Sequence, residues 1–188
     1  MSIETAILGL LSWRSLTGYD LKKMCEDSVA LYWSGNNNEI YRTLISLLEA
    51  GFVTREVQPQ ENHPAKKIYS ITPTGVDELK RRALASPDLP QLKHTLLIQL
   101  AWADLLNPDE LDNLLGKYQD EVQTQLFICQ RQQKPMSGAE RPTYLNPTGA
   151  RSPREAYLWE MILDSWTSFY EHELGWVQQL RQGLKAKK

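Results

Sequence analysis

The sequence predicts a mainly α-helical chain: three short helices, a two-stranded β hairpin and a fourth helix, then an all-α second half that ends in a long helix. Three observations predict it. Apolar residues recur three and four positions apart through most of the 188 residues, which is the spacing of a helix with one buried face. The period drops to two only between residues 53 and 71, where a half-buried strand pair is expected. Two proline-rich stretches, 86–90 and 134–153, interrupt the helical pattern and divide it.

Taken in order, Ile3, Ala6, Ile7, Leu10 and Leu11 predict an amphipathic first helix ending near Trp13. Thr17 and Asp20 have the spacing of a capping box, so a second helix is expected over about 18–32, burying Leu21, Met24, Val29 and Trp33. Asn36 and Glu39 repeat that spacing for a third helix over 36–50, and Gly51 can end it by taking positive φ. Val53, Arg55 and Val57 then alternate with polar residues, as do Lys67 to Ile71, and QPQENHPA between them predicts a long polar tip. Thr72 and Pro73 supply an N-cap and a first-turn proline for a fourth helix to about Ala85.

SPDLP at 86–90 marks the expected boundary between a first domain, 1–86, and a second, 87–188. Beyond it Leu92, Leu96, Leu97, Leu100, Ala101 and Leu105 form one expected apolar stripe. Asn107, Pro108 and Glu110 open a helix to about Gln133, and the segment 134–153 is expected to be a loop. Ser152, Pro153 and Glu155 combine a capping hydroxyl, a first-turn proline and a third-residue acid, the strongest helix start in the chain. The helix that follows, to about Leu184, carries Trp159, Ile162, Trp166, Phe169 and Trp176 on more than one side, which predicts burial against both its own domain and a second subunit.

Composition removes several function classes. No apolar run approaches the roughly 20 residues of a membrane-spanning helix, and Glu4 stands where a secretory signal carries basic residues, so a soluble, cytoplasmic protein with no membrane partner is expected. Cys25 and Cys129 fit no metal-ligand spacing and read as idle or buried thiols. The histidines, His63, His94 and His172, are scattered, and no Gly-rich phosphate loop or recognisable Ser/His/Asp frame occurs, which argues against an enzyme and implies no cofactor. Twenty-one basic against 23 acidic residues give a net charge of -2, and the first 85 residues hold ten of each, so any nucleic-acid reading must rest on where charge is placed.

Three helices followed by a hairpin is the order of a winged helix-turn-helix, in which the third helix enters the DNA major groove and the hairpin forms the wing. At 100° per residue Ile40, Leu44, Leu47 and Leu48 share the inward side of helix 36–50, leaving Asn38, Tyr41, Arg42 and Ile45 outward. Asn36 suffices for capping, so Asn37 and Asn38 are candidates for reading adenine, whose N6 and N7 match an amide's donor and acceptor. Arg42 can meet a phosphate or a guanine, and Tyr41 can donate to a phosphate or pack between helix and wing. His63, Lys66 and Lys67 near the hairpin tip, with Lys80, Arg81 and Arg82 further on, supply local positive charge. An aromatic-lined effector pocket near Trp13, Trp33, Trp102 or Trp159 is a further candidate. The alternative is a winged helix that recognises another protein and not DNA, which the neutral first domain favours.

The stretches ILGLLSWRSLTGYDLKKM, EIYRTLISLLEAGFV and HPAKKIYSITPTG resemble, in order and spacing, the successive signatures of PadR-type transcriptional regulators. The resemblance covers residues 3 to about 85 closely, and the second half only in helix pattern and its tryptophan-rich last helix. It implies a winged helix-turn-helix followed by an all-α dimerisation domain. It also implies a homodimer on double-stranded DNA with a roughly palindromic operator, usually repressing nearby genes and often released by a small-molecule effector. By resemblance Tyr19 and Tyr41 join the DNA-facing or domain-bracing set, and Lys66 and Lys67 become wing contacts. His63 stands where the family usually has arginine, and Lys66 replaces a second one. Lysine lacks the planar fork, so phosphate contact is the expectation for this wing.

Overall fold

The computed structural model describes residues 3–27, 37–60, 63–87, 94–133 and 151–186, which form two compact units, one up to Pro87 and one from His94 onward. The expected burial of Val29 and Trp33, the Asn36 cap, Leu92 and most of the 134–153 segment lie outside the described residues, as do the side chains of Asn37 and His63.

In the first unit, α1 (Ile3–Leu11) buries Ile3, Ile7, Leu8, Leu10 and Leu11, and Ser12 closes it by donating to the Gly9 carbonyl at 2.6 Å. Helix α2 (Gly18–Asp27) starts from the predicted capping box: the Asp20 amide donates to Thr17 Oγ1 at 3.1 Å, and Asp20 Oδ2 accepts from the Thr17 amide at 3.1 Å. Helix α3 (Asn37–Glu49) buries Ile40, Leu44 and Leu47. It ends in a Schellman motif, with Gly51 at φ 73, its amide donating to Leu48 O and the Phe52 amide to Leu47 O.

Strands β2 (Val53–Gln60) and β3 (His63–Ile71) pair antiparallel. The long polar tip is corrected: the strands run through Gln58–Gln60 and back from His63, with a register shift between Gln58 and Gln60, because polar residues continue a ladder that needs only backbone groups. A third strand, β1 (Leu16–Thr17), pairs with Tyr69 and Ile68, so the hairpin belongs to a three-stranded sheet in the order β1-β3-β2. Two residues are too short a run to show a period, so β1 left no mark in the pattern.

Helix α4 (Pro73–Ala83) is capped by Thr72, which accepts from the Gly75 amide at 3.0 Å and donates to the Gly51 carbonyl at 2.8 Å. A Cβ on Gly75 would lie 2.1 Å from the Phe52 carbonyl oxygen, so only glycine lets α4 start against the turn that joins α3 to the wing. Ile7, Leu10, Leu21, Met24, Leu44, Leu47, Val53 and Tyr69 share one core, which ties the three helices to the base of the sheet. Buried Cys25 belongs to it, and burial, then the Glu26 charge, push its thiol up to about 11, so it is an inert packing group.

The second unit is built mainly on α6 (Pro108–Gln133) and α7 (Pro153–Lys185). Asn107 accepts from the Asp109 and Glu110 amides, and Ser152 from the Glu155 amide, as their spacing predicts. Leu96, Leu115 and Val177 centre a small core flanked by Leu100, Leu111, Tyr118, Trp176 and Leu180. The single apolar stripe is corrected. Helix α5 (Thr95–Leu100) stops, and a 3-10 turn at Ala103–Leu105 follows. The stop rotates later residues off the buried side: Ala101 is exposed and Leu105 is 85% exposed, and Leu97 is already outside the core while Leu96 is in it.

Candidate nucleic-acid interface

Helix α3 presents one uninterrupted outward row. Asn38, Tyr41, Arg42 and Ile45 are exposed, at 47% for Tyr41 and 52% for Ile45, while Ile40, Leu44 and Leu47 on the other side are in the core. The inward leucines are the cause: burying them stabilises the unit by roughly 1.5–3 kcal/mol each and fixes the rotation of the helix about its axis. What the row offers is an amide, a phenol, a guanidinium and a branched alkyl group, a set matched to base edges and phosphates in a groove.

Tyr41 has a second contact. A Cβ on Gly18 would lie 2.5 Å from the Tyr41 ring, so the ring sits over the first turn of α2 where glycine leaves room. Packing and exposure therefore coexist in this side chain, and it braces α2 against α3 while its outer edge stays in water. Tyr19, one residue along, is 66% exposed on the same first turn.

The wing divides its charges between two faces. Lys67 pairs opposite Val57 and Arg55 opposite Tyr69, so Arg55 and Lys67 share the face that buries Val53 and Tyr69 nearer the core. Lys66 pairs opposite Gln58 and points the other way, next to Glu56. Arg42, Arg55, Lys66 and Lys67 have no acidic partner among the described residues.

The basic trio of α4 does not add to this surface. Arg81 and Arg82 both donate to Glu78 at 2.7 Å, Arg82 also reaches Glu4 on α1, and Lys80 pairs with Asp77. The bonds from Arg81 and Arg82 hold the Glu78 carboxyl down at about 2, so Lys80 and Arg81 are paired within α4 and Arg82 ties α4 to α1. Positive charge in the first unit is thus spent internally on α4 and left open on α3 and the wing.

A model of the transcriptional regulator PadR-like family matches residues 7–81, and one of the virulence activator alpha C-terminal region matches 92–185. The negative transcriptional regulator PadR of Bacillus subtilis is 27% identical over 147 residues, which is 77% of this chain and 81% of that protein. Its crystal structure in complex with operator DNA superposes with a TM-score of 0.76 at 24% identity, covering 96% of each chain. Its complex with p-coumaric acid gives 0.70 at 21%, covering 97% and 98%. The Vibrio cholerae virulence activator AphA gives 0.67 at 21% over the whole of both chains.

This chain belongs to the PadR-like family of transcriptional regulators. As a member of that family it is a regulator and not an enzyme. No helix among the described residues is long and apolar enough to cross a membrane. Of the residues singled out in the second half, Ile162, Trp166 and Phe169 are exposed on α7, Trp159 is half-buried, and Trp176 packs on its own unit's core with its ring centroid 5.9 Å from that of His94. Trp166, Phe169 and Tyr170 form an aromatic ladder with centroids 5.2 to 6.1 Å apart.

Two features of this PadR-family chain escaped the sequence reading. Arg55 was legible, since strand parity places it with Lys67 and away from Lys66. The Glu4–Arg82 pair spans 78 positions and left no local signal.

Proposed function

We propose that this chain is a cytoplasmic, homodimeric repressor that binds a roughly palindromic operator through helix 36–50 and the 53–71 wing, and that a small molecule releases it. The observation that carries the reading is the outward row of α3, kept polar and exposed by the burial of Ile40, Leu44 and Leu47 behind it. Asn37 and Asn38 read bases, Arg42 and Tyr41 set the helix on the backbone, and Tyr19 braces the entry. His63, Lys66 and Lys67 contact phosphates from the wing. The Bacillus subtilis relative solved with operator DNA has the same fold and supports this assignment, and its complex with p-coumaric acid supports an effector.

Dimerisation accounts for α7. Tyr157, Leu158, Met161, Ile162, Trp166 and Phe169 leave a long apolar face exposed, more than a solitary helix pair presents to water. A second copy covering it would set two α3 helices about one DNA turn apart, near 34 Å. Selection of bound duplexes from a random pool, followed by gel shift over a salt series, tests the whole reading. A palindrome with fixed half-site spacing and affinity that falls with salt is expected. Absence of retardation at every ionic strength would replace it with a winged helix that recognises protein.

A further inference from the structure

Helix α3 gives one of its outward positions to a hydrocarbon. Among the described residues of the first unit, the exposed large apolar side chains are Tyr19, Tyr41, Ile45, Val57 and Leu84. Tyr19 and Tyr41 carry hydroxyls, Val57 lies on the wing, and Leu84 is the C-cap residue of α4. Ile45 differs from all of these. It is wholly aliphatic, 52% exposed, and set in a helix face whose other side chains end in polar groups: Tyr41 and Arg42 one turn back, Ser46 beside it and Glu49 one turn on, all exposed.

Folding does not call for it. Ile40, Leu44 and Leu47 fill the inward side and belong to the core, and Ile45 does not. A β-branched residue is also a poorer helix former than leucine, lysine or glutamine at an exposed site. A solitary exposed aliphatic is ordinary on a protein surface, so what marks Ile45 is its place. At about 100° per residue it projects about 20° from Asn38 and about 60° from Arg42 around the helix axis, so the three face the same way. At about 1.5 Å per residue it stands about 10 Å along the axis from Asn38, the length of about three base-pair steps.

Asn38 and Arg42 offer hydrogen bonds to a base edge, and an alkyl group offers none, so Ile45 can discriminate only by apolar contact. In the major groove the bases show donors, acceptors and a single kind of apolar group, the C5 methyl of thymine. A branched side chain laid on that methyl takes both out of water, whereas against the amino and carbonyl groups of the other bases it strips away water without returning a bond.

We infer that Ile45 reads thymine, packing on the C5 methyl of a base in each half-site, and is a specificity-determining residue of this regulator. The inference rests on the operator reading and adds to it one base and the chemical group by which that base is told apart.

The test is a gel-shift titration of the full chain on the duplex selected from a random pool, with each thymine replaced in turn by deoxyuridine, which pairs with adenine in the same way and lacks only the methyl. At one thymine, wild-type affinity should fall about fourfold, and by roughly tenfold when its symmetry mate is replaced as well. Ile45→Ala should bind the thymine duplex more weakly by a similar factor and lose most of its response to deoxyuridine at that position, and Ile45→Val should keep most of it. Amide exchange in α3 at the wild-type rate shows that the alanine variant is folded, and the deoxyuridine scan of the wild type needs no variant. Indifference of the wild type to every deoxyuridine, or an equal response in wild type and Ile45→Ala, would overturn the assignment and leave a duplex-binding regulator standing. A wild-type chain that retards no duplex would instead remove the operator reading, and the role of Ile45 with it.

Discussion

Leu44 and Ile45 are neighbours on α3 with opposite surroundings, and their truncation tests the orientation of that helix directly. Leu44 is wholly buried among α1, α2 and α3 residues, whereas half of Ile45 faces water. Leu44→Ala removes a side chain from a packed core and leaves a cavity, at a cost of about 2–5 kcal/mol. Ile45→Ala loses little buried area and gains helix propensity, so its effect on stability should stay within about 0.5 kcal/mol. Because the chain has two units, a global melt blurs the answer. Hydrogen exchange at the α1 and α3 amides isolates the first unit, and there Leu44→Ala should speed exchange by about 30-fold to several thousandfold, with Ile45→Ala near wild type. Comparable losses from the two substitutions would mean that α3 is rotated from the position described, and the outward row with it.

Four further outcomes are expected. Gly75→Ala places a methyl against the Phe52 carbonyl and should cost about 1–3 kcal/mol, read as a lower urea midpoint; an unchanged midpoint would refute the close approach of α4 to the turn after α3. Lys67→Ala should weaken all duplexes alike and reduce the slope of log affinity against log salt by about one, and a loss confined to one sequence would argue for base contact instead. Asn38→Ala should cost about 1–3 kcal/mol on the selected operator and little on random DNA, with equal losses removing its base-reading role. Glu78, held at about 2 against an ordinary 4.5, contributes stability that is present above its unfolded value and lost as pH falls through about 2. Glu78→Gln should therefore lower the melting temperature at pH 7 and converge with wild type near pH 2, and a constant gap across that range would exclude the ion pairs as its source.

What the sequence determined by itself was local. Helices α1, α3, α6 and α7 stand close to where their apolar spacing places them; Thr17, Asn107 and Ser152 cap as the acids three positions on predict, and Thr72 as the proline after it predicts. Caps and periodicity act within one or two turns, so a short window contains all the atoms involved. The inward leucines of α3 belong to the same class, and they determine which of its residues face outward. Tertiary structure decided the rest. Strand β1 exists only because β3 presents an open edge to it, and α5 stops where the apolar stripe alone would have continued it. Arg82 on α4 looked available for DNA until folding brought Glu4 of α1 to it, whereas its pairing with Glu78, four positions back on the same helix, was local. Glu173 meets His94 across 79 positions, and neither residue's neighbours in sequence hint at the other. Charge acts through space, so which charges cancel and which remain open is settled only when distant segments meet.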